Sequence, residues 1–173
     1  MVENFPGVTV EVDDGSVKER VTSCLPLNSL KSLDAETARA LAGYDKGPLL
    51  LNSLTTLDAD TAEALAEFKG SLYLNGLTTL DADTAKALAE FKGSVLFLNG
   101  LTALDADTAK AFAEFKGLAL GLRGLTALDA DTAKALAEWN AISLPLDGLT
   151  TLSAGAAEML ARYKGALLSL SLI

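Results

Sequence analysis

Paired aspartates recur along the sequence and are the residues whose type and spacing best suit chemistry. The four Asp-x-Asp pairs are Asp58/Asp60, Asp81/Asp83, Asp105/Asp107 and Asp129/Asp131. Because hard cations prefer several carboxylate oxygens, the pairs could form a ladder of calcium sites. Each pair also opens an Ala-rich segment with helical spacing, where the first Asp can cap the helix and the second offsets its positive end. Helix capping alone explains the pairs, so we predict caps and keep calcium as the alternative.

Other catalytic chemistry finds little support in the sequence. The chain has no histidine, which is the commonest general base and metal ligand. Cys24, the only cysteine, therefore has no histidine partner that would make it a nucleophile. The glycines recur with the repeat and form neither a Gly-x-Gly-x-x-Gly motif nor a lysine-bearing phosphate loop. We expect a protein with no enzymatic activity, no cofactor and no bound metal.

Composition narrows the class of partner and the compartment. The formal net charge is −9, and lysines are mixed with glutamates along each predicted helix. Nucleic acid is not an expected partner, since phosphate contacts need clustered Lys and Arg. No apolar run reaches the roughly 18 residues of a membrane span, and residues 1–6 lack the basic and apolar regions of a signal peptide. A single cysteine fits a reducing compartment, so we expect a cytoplasmic location.

The elements that would position these residues come from a repeat. Equivalent leucines recur every 23 or 24 residues along the chain. They are Leu30, Leu54, Leu77, Leu101, Leu125 and Leu149. A fixed period in this range is typical of a solenoid, in which each unit buries its apolar face on the next. Such an array presents an extended surface, and that favours binding or scaffolding over catalysis.

Residues 71–93 illustrate one repeat. Leu72 and Leu74 alternate with Tyr73 and Asn75, a period of two that predicts a short strand. The period then changes, and we predict a helix over 82–92, capped by Asp81 and ended by Gly93 in the left-handed conformation. So short a unit returns the chain to a parallel strand through a right-handed crossover. Because helices are wider than strands, we expect an α/β solenoid with a concave parallel sheet and convex helices.

The repeat resembles the leucine-rich repeat family in its spacing Leu-x-Leu-x-x-Leu-x-x-Leu-Asp-x-x-x-Ala-x-x-Leu-Ala. It is most similar to the cysteine-containing class and to alanine-rich leucine-rich repeats of bacterial proteins. Leu77, Leu101 and Leu125 stand where that class has Cys or Asn, and the neighbouring glycines could supply the loop geometry instead. The resemblance covers roughly residues 24–173. It implies a right-handed leucine-rich-repeat solenoid that binds a protein on its concave face.

The two ends differ from the array. Residues 1–23 do not fit the repeat, and we predict an N-terminal cap containing a strand at Val8–Val12, a turn and a short helix at Val17–Thr22. Residues 24–173 form the array of six repeats plus a terminal strand at 166–173. That strand would leave leucines at a sheet edge, so we expect either a homodimer through this edge or a longer parent chain.

Aligned repeats place two outward-facing rows on the predicted concave surface. Leu50, Tyr73 and Phe97 are neighbours in one row, beside a gap at Gly121. They could anchor a partner or form a self-stabilising cross-strand ladder. The second row is mostly asparagine and could be a hydrogen-bonded ladder or a ligand site. The predicted protein-binding residues are Leu50, Tyr73, Asn75, Phe97, Asn99 and Arg123.

These features predict a non-enzymatic binding module for a protein or peptide ligand. The alternative is a structural protein that assembles through its C-terminal edge strand. The two hypotheses differ in the predicted oligomeric state, which light scattering measures.

Overall fold

The first described elements form a small antiparallel sheet. The computed structural model describes residues 24–139 and 142–170 and, before them, the backbone of three strands: β1 (Glu3–Phe5), β2 (Val8–Asp13) and β3 (Ser16–Val21). The predicted helix at Val17–Thr22 is therefore wrong, because β3 pairs with β2 through Val17↔Val12 and Val21↔Val8. Valines at period two favour a strand, and the Asp-Gly dipeptide between the strands is typical of a two-residue hairpin loop. The capping role of this segment stays a prediction.

Strands of successive repeats pair side by side in a parallel sheet. Within residues 24–139 and 142–170 the sheet has seven strands in chain order. They are β4 (Leu25–Pro26), β5 (Leu49–Leu50), β6 (Leu72–Tyr73), β7 (Val95–Phe97), β8 (Ala119–Gly121), β9 (Ser143–Pro145) and β10 (Leu167–Ser169). The register joins equivalent positions, for example Leu72↔Leu96 and Tyr73↔Phe97. The sheet is open, with β4 and β10 at its edges.

A helix follows each of the first six strands of the parallel sheet, β4 to β9. In the same described ranges these helices are α1 (Ala35–Ala42), α2 (Ala59–Ala66), α3 (Ala82–Ala89), α4 (Ala106–Ala113), α5 (Ala130–Glu138) and α6 (Ala154–Leu160). Neighbouring helices pack against each other in sequence order, as the strands do. Small buried alanines such as Ala85 and Ala109 allow this close stacking. The predicted α/β repeat solenoid with a parallel sheet is confirmed.

The C-terminal ends of the helices differ from the prediction. Helix α3 ends at Ala89 instead of residue 92, and Glu90 and Phe91 continue with tight turns onto Ala87 and Leu88. The predicted left-handed cap at Gly93 is wrong, because Gly93 does not have a positive φ. A Cβ at Gly93 would lie 2.2 Å from the carbonyl oxygen of Gly70, so glycine is needed there for close approach of successive loops.

Leucines from both layers fill the space between the sheet and the helices. The strand residues Leu72 and Leu74, and Leu88 of α3, are fully buried. A column of aromatic rings, one from each loop, closes the end of this core. It contains Phe68, Phe91, Phe115 and Trp139, with ring centroids 6.1 to 6.4 Å apart. Trp139 also donates from Nε1 to the carbonyl oxygen of Phe115 at 2.9 Å, which explains how the larger ring fits the column.

Proline disturbs the sheet between β8 and β9. These strands pair only at Ala119↔Ser143, whereas β7 and β8 pair at three positions. Pro145 has no N–H to donate to β8, which explains the shorter pairing. At the end of the array β10 pairs with β9 from Leu167 to Ser169. The last part of the predicted terminal strand, 171–173, lies outside the described residues.

Candidate functional site

The predicted outward row is formed by residues in register on neighbouring strands. Leu50 lies opposite Tyr73, Tyr73 opposite Phe97, and Phe97 opposite Gly121. Each of the three large side chains is half-buried, while the residues on either side of them in the strands are buried. The alternation required by a strand therefore turns these side chains away from the core.

Tyr73 and Phe97 form a stacked aromatic pair on this face. Their ring centroids are 4.3 Å apart and the planes are inclined by 27°. Such a pair contributes about 0.5 to 1.5 kcal/mol beyond the area it buries. The two interpretations of the row, cross-strand ladder and anchor, are therefore compatible: the rings stabilise each other and still present an apolar surface.

The asparagine row forms a hydrogen-bonded ladder across the strands. The Oδ1 atom of Asn52 accepts from the backbone N of Asn75 at 3.2 Å and from its Nδ2 at 2.9 Å. In the same way Asn75 Oδ1 accepts from Asn99 N at 2.9 Å, and Asn99 Oδ1 accepts from Arg123 N at 3.1 Å. Of the two interpretations of this row, the ladder accounts for the oxygen of each of these amides. The side-chain Nδ2 of Asn99 has no hydrogen-bond partner in the described part of the chain.

A charged pair replaces the ladder at its far end. Arg123 stands where the four preceding strands carry asparagine, and its Nε donates to Asp147 Oδ2 at 3.2 Å. The other oxygen of Asp147 accepts a hydrogen bond from the Ser169 hydroxyl. The exposed fraction is 63% for the Arg123 side chain and 27% for Asp147. The carboxylate is thus anchored from both sides, while the guanidinium extends into solvent.

A groove of about 180 Å³ crosses the sheet face at this point. Its lining comes from β7, β8, β9 and β10 and includes Phe97, Asn99, Gly121, Arg123, Pro145 and Leu167. A Cβ at Gly121 would lie 2.8 Å from Asn99 Oδ1 and 2.9 Å from Phe97 Cδ1. The absence of a side chain at Gly121 therefore lets the Phe97 ring and the Asn99 amide lean over β8. The predicted gap at Gly121 is therefore taken up by these two side chains, and the groove opens beside them, toward Pro145 and Leu167.

A larger cavity of about 530 Å³ lies elsewhere, between the loops that follow α1 and α2. Its lining includes Tyr44, Asp45, Lys69 and Lys92. The loop from Phe68 to Leu72 is one residue shorter than the equivalent loops, so the stacked loops fall out of register here. We attribute the cavity to this mismatch. None of the residues predicted to bind a partner lines it.

The first aspartate of each pair caps a helix, and the second lies in the first turn of that helix. The backbone N of Thr84 donates to Asp81 Oδ1 at 2.8 Å, and that of Thr108 to Asp105 Oδ1 at 2.7 Å. The hydrogen bond from the Thr108 backbone holds the pKa of Asp105 below its ordinary value of 3.8. No group of three or more Asp, Glu or Cys side chains that could hold a metal ion occurs among the described residues. The capping prediction is confirmed.

Several residues of the face were not predicted from the sequence. Pro145, Asp147, Leu167 and Ser169 belong to the groove and its rim but were not among the proposed binding residues. The sequence signal that could have found these residues is departure from the repeat, because the outward residues of β8 and β9 differ most from those of the other strands. The free Cys24 directly precedes β4 and is half-buried.

Comparison with known proteins adds no assignment. The sequence matches no protein-family model, and no curated protein matches it. Across residues 24–139 and 142–170, no helix is long and apolar enough to cross a membrane. Function must therefore be argued from the exposed sheet face.

Proposed function

We propose that this protein is a non-enzymatic binding module that holds a protein or peptide on the exposed face of its parallel sheet. The observation that carries the proposal is the stacked Tyr73–Phe97 pair next to the groove at Gly121. Aromatic side chains that combine a large apolar area with few rotatable bonds are typical anchors of interfaces. The groove volume lies below the about 300 Å³ at which small-molecule pockets begin, which favours a peptide side chain over a cofactor.

Selection from a phage-displayed library of random peptides, followed by affinity measurement with synthetic peptides, tests this function. A double variant, Tyr73→Ala with Phe97→Ala, should weaken binding by about tenfold or more, since aromatic hot spots cost about 2 kcal/mol when truncated. Ile142→Ala is the matched control, because Ile142 is an exposed apolar residue that does not line the groove. Unchanged affinity in the double variant, or failure to select any peptide, would refute the proposal.

We also propose that the array belongs to the leucine-rich repeat family. The support is the repeated order of a Leu-x-Leu strand, a loop and a helix, which is found for six of the seven strands of the sheet. Binding on a sheet face is what that resemblance implies. The lone cysteine supports placing the protein in the cytoplasm, and cell fractionation would test that location.

The second candidate function is assembly through the C-terminal edge. Strand β10 forms one edge of the sheet, and Leu168 within it and Leu170 directly after it are only half-buried. An edge strand offers unpaired backbone groups to another chain. We expect a homodimer by light scattering if this function operates, and Leu170→Lys should convert it to a monomer while leaving the circular dichroism unchanged. A wild-type monomer at high concentration would exclude it.

A further inference from the structure

Two neighbouring outward positions depart from the repeat: Gly121 at the end of β8 and Arg123 in the loop after it. Gly121 replaces the large side chains Leu50, Tyr73 and Phe97, and Arg123 replaces the asparagine of the preceding strands. The fold does not require either change, since the other repeats stack without them. Both changes fall on the lining of the groove. Their coincidence points to a ligand that needs an apolar recess and a cation side by side.

Arg123 keeps the backbone part of the ladder and frees its side chain for another task. Its backbone N still donates to Asn99 Oδ1 at 3.1 Å, while its Nε is fixed by Asp147 at 3.2 Å. The two terminal guanidinium nitrogens have no partner within residues 24–139 and 142–170. A guanidinium oriented through Nε presents these nitrogens as a fork that matches a carboxylate.

The hydrogen-bond donors of the sheet face make Arg123 the natural contact for a carboxylate. In the part of the chain that the structure describes, the outward rows carry only two charged residues, Arg123 and Asp147. Asp147 already accepts from Arg123 and from Ser169, so its oxygens are engaged. The unpaired amide nitrogen of Asn99 on the same rim is a further donor. Donors therefore outnumber the acceptors left open on this side of the groove.

We propose that the groove selects a peptide in which a carboxylate lies next to an apolar side chain. The apolar side chain packs in the groove against Pro145 and Leu167, beside the Phe97 ring, and the carboxylate accepts hydrogen bonds from the terminal nitrogens of Arg123. The carboxylate is that of an Asp or Glu side chain, since the contact is an arginine side chain and not the backbone nest that captures a free C-terminus. This inference rests on the proposed peptide-binding function and names the chemistry that the site recognises.

The test uses the peptides selected from the random library, which is displayed in two forms, with free and with blocked C-termini. Selected sequences should carry Asp or Glu beside an apolar residue in both forms of the library, whereas recovery only with a free C-terminus would overturn this inference. In synthetic peptides, Glu→Gln or amidation of the C-terminus then identifies the source of the carboxylate. The peptide change that removes the contacting carboxylate should raise Kd by about tenfold, because a hydrogen bond to a charged group contributes at least the free energy that corresponds to a tenfold change in Kd.

A double-mutant cycle with Arg123→Gln makes the assignment specific. The substitution Arg123→Gln should weaken binding of the carboxylate peptide by about tenfold. The variant protein should then bind the carboxylate and amide peptides equally, which a merely structural role of Arg123 would not produce. Arg39→Gln on the exposed surface of α1 changes the net charge equally and should alter neither affinity. Peptides that bind through Tyr73 and Phe97 but lack a carboxylate, or that bind Arg123→Gln as tightly, overturn this inference and leave the proposed function standing. Failure to select any peptide overturns both.

Discussion

Replacement of Asn75 by alanine tests whether the asparagine row is structural. Asn75 occupies the middle of the ladder, where its Oδ1 satisfies the backbone N of Asn99 at 2.9 Å and its Nδ2 donates to Asn52 at 2.9 Å. Alanine would leave the Asn99 N–H without its acceptor and remove one donor from Asn52. An unsatisfied buried group costs about 1 to 3 kcal/mol, and the partial exposure of this face places the expected loss at about 1 to 2 kcal/mol.

Urea unfolding measures this loss, with Asn28→Ala as the matched control. Asn28 lies at the exposed start of the ladder, where its Oδ1 accepts from Asn52 at 3.1 and 3.3 Å and water can replace it. We expect the control to lose less than about 0.5 kcal/mol, the usual range for surface changes. The slope m should be the same for all variants, so that a shift in midpoint reports stability. Equal losses at the two positions, or no loss at Asn75, would refute the ladder as a stabilising element.

Three further predictions concern the helices. Asp105→Ala should cost about 1 kcal/mol in chemical denaturation, the usual worth of an N-cap, and neither calcium nor chelator should change that value. Leu88→Ala should cost about 2 to 5 kcal/mol because it leaves a cavity in the core, whereas Lys86→Ala should be nearly neutral because its ion pair with Asp83 is exposed; similar losses would mean that the helix is rotated. Because the pKa of the capping aspartates is lowered by folding, the stability they contribute is fully present above pH 3.8 and is lost as the pH falls through their lowered pKa values. The Tm should therefore drop in this acidic range. The drop should be smaller in Asp105→Asn, which keeps a capping acceptor.

The regular part of the fold could be predicted because local and global signals agree. Leucines at period two, an Asp cap and an Ala-Leu helical face occur in nearly every repeat, and each predicts the same strand and helix. The register of Tyr73 with Phe97 followed from the repeat length alone. The row containing these residues was therefore assigned correctly before any contact was known.

The features that were missed depend on contacts between repeats. Gly93 suggested a left-handed cap, but its role is to let its loop approach the carbonyl of Gly70, which no single repeat reveals. Thr84 donates from Oγ1 to the carbonyl oxygen of Leu57 in the preceding repeat at 3.4 Å, and this link also has no local signature. The groove is built from four strands, so Pro145 and Leu167 become part of it only when the sheet is assembled.

The most direct test of the account is an NMR titration of the isotopically labelled protein with a peptide selected from the random library. Binding on the exposed sheet face predicts that the largest changes in amide chemical shift occur at Asn75, Asn99, Gly121 and Arg123. The helix caps, including Asp105, should remain unchanged. Largest changes at the loop cavity around Tyr44 and Lys69, or along the helices, would contradict the assignment of the sheet face as the binding surface.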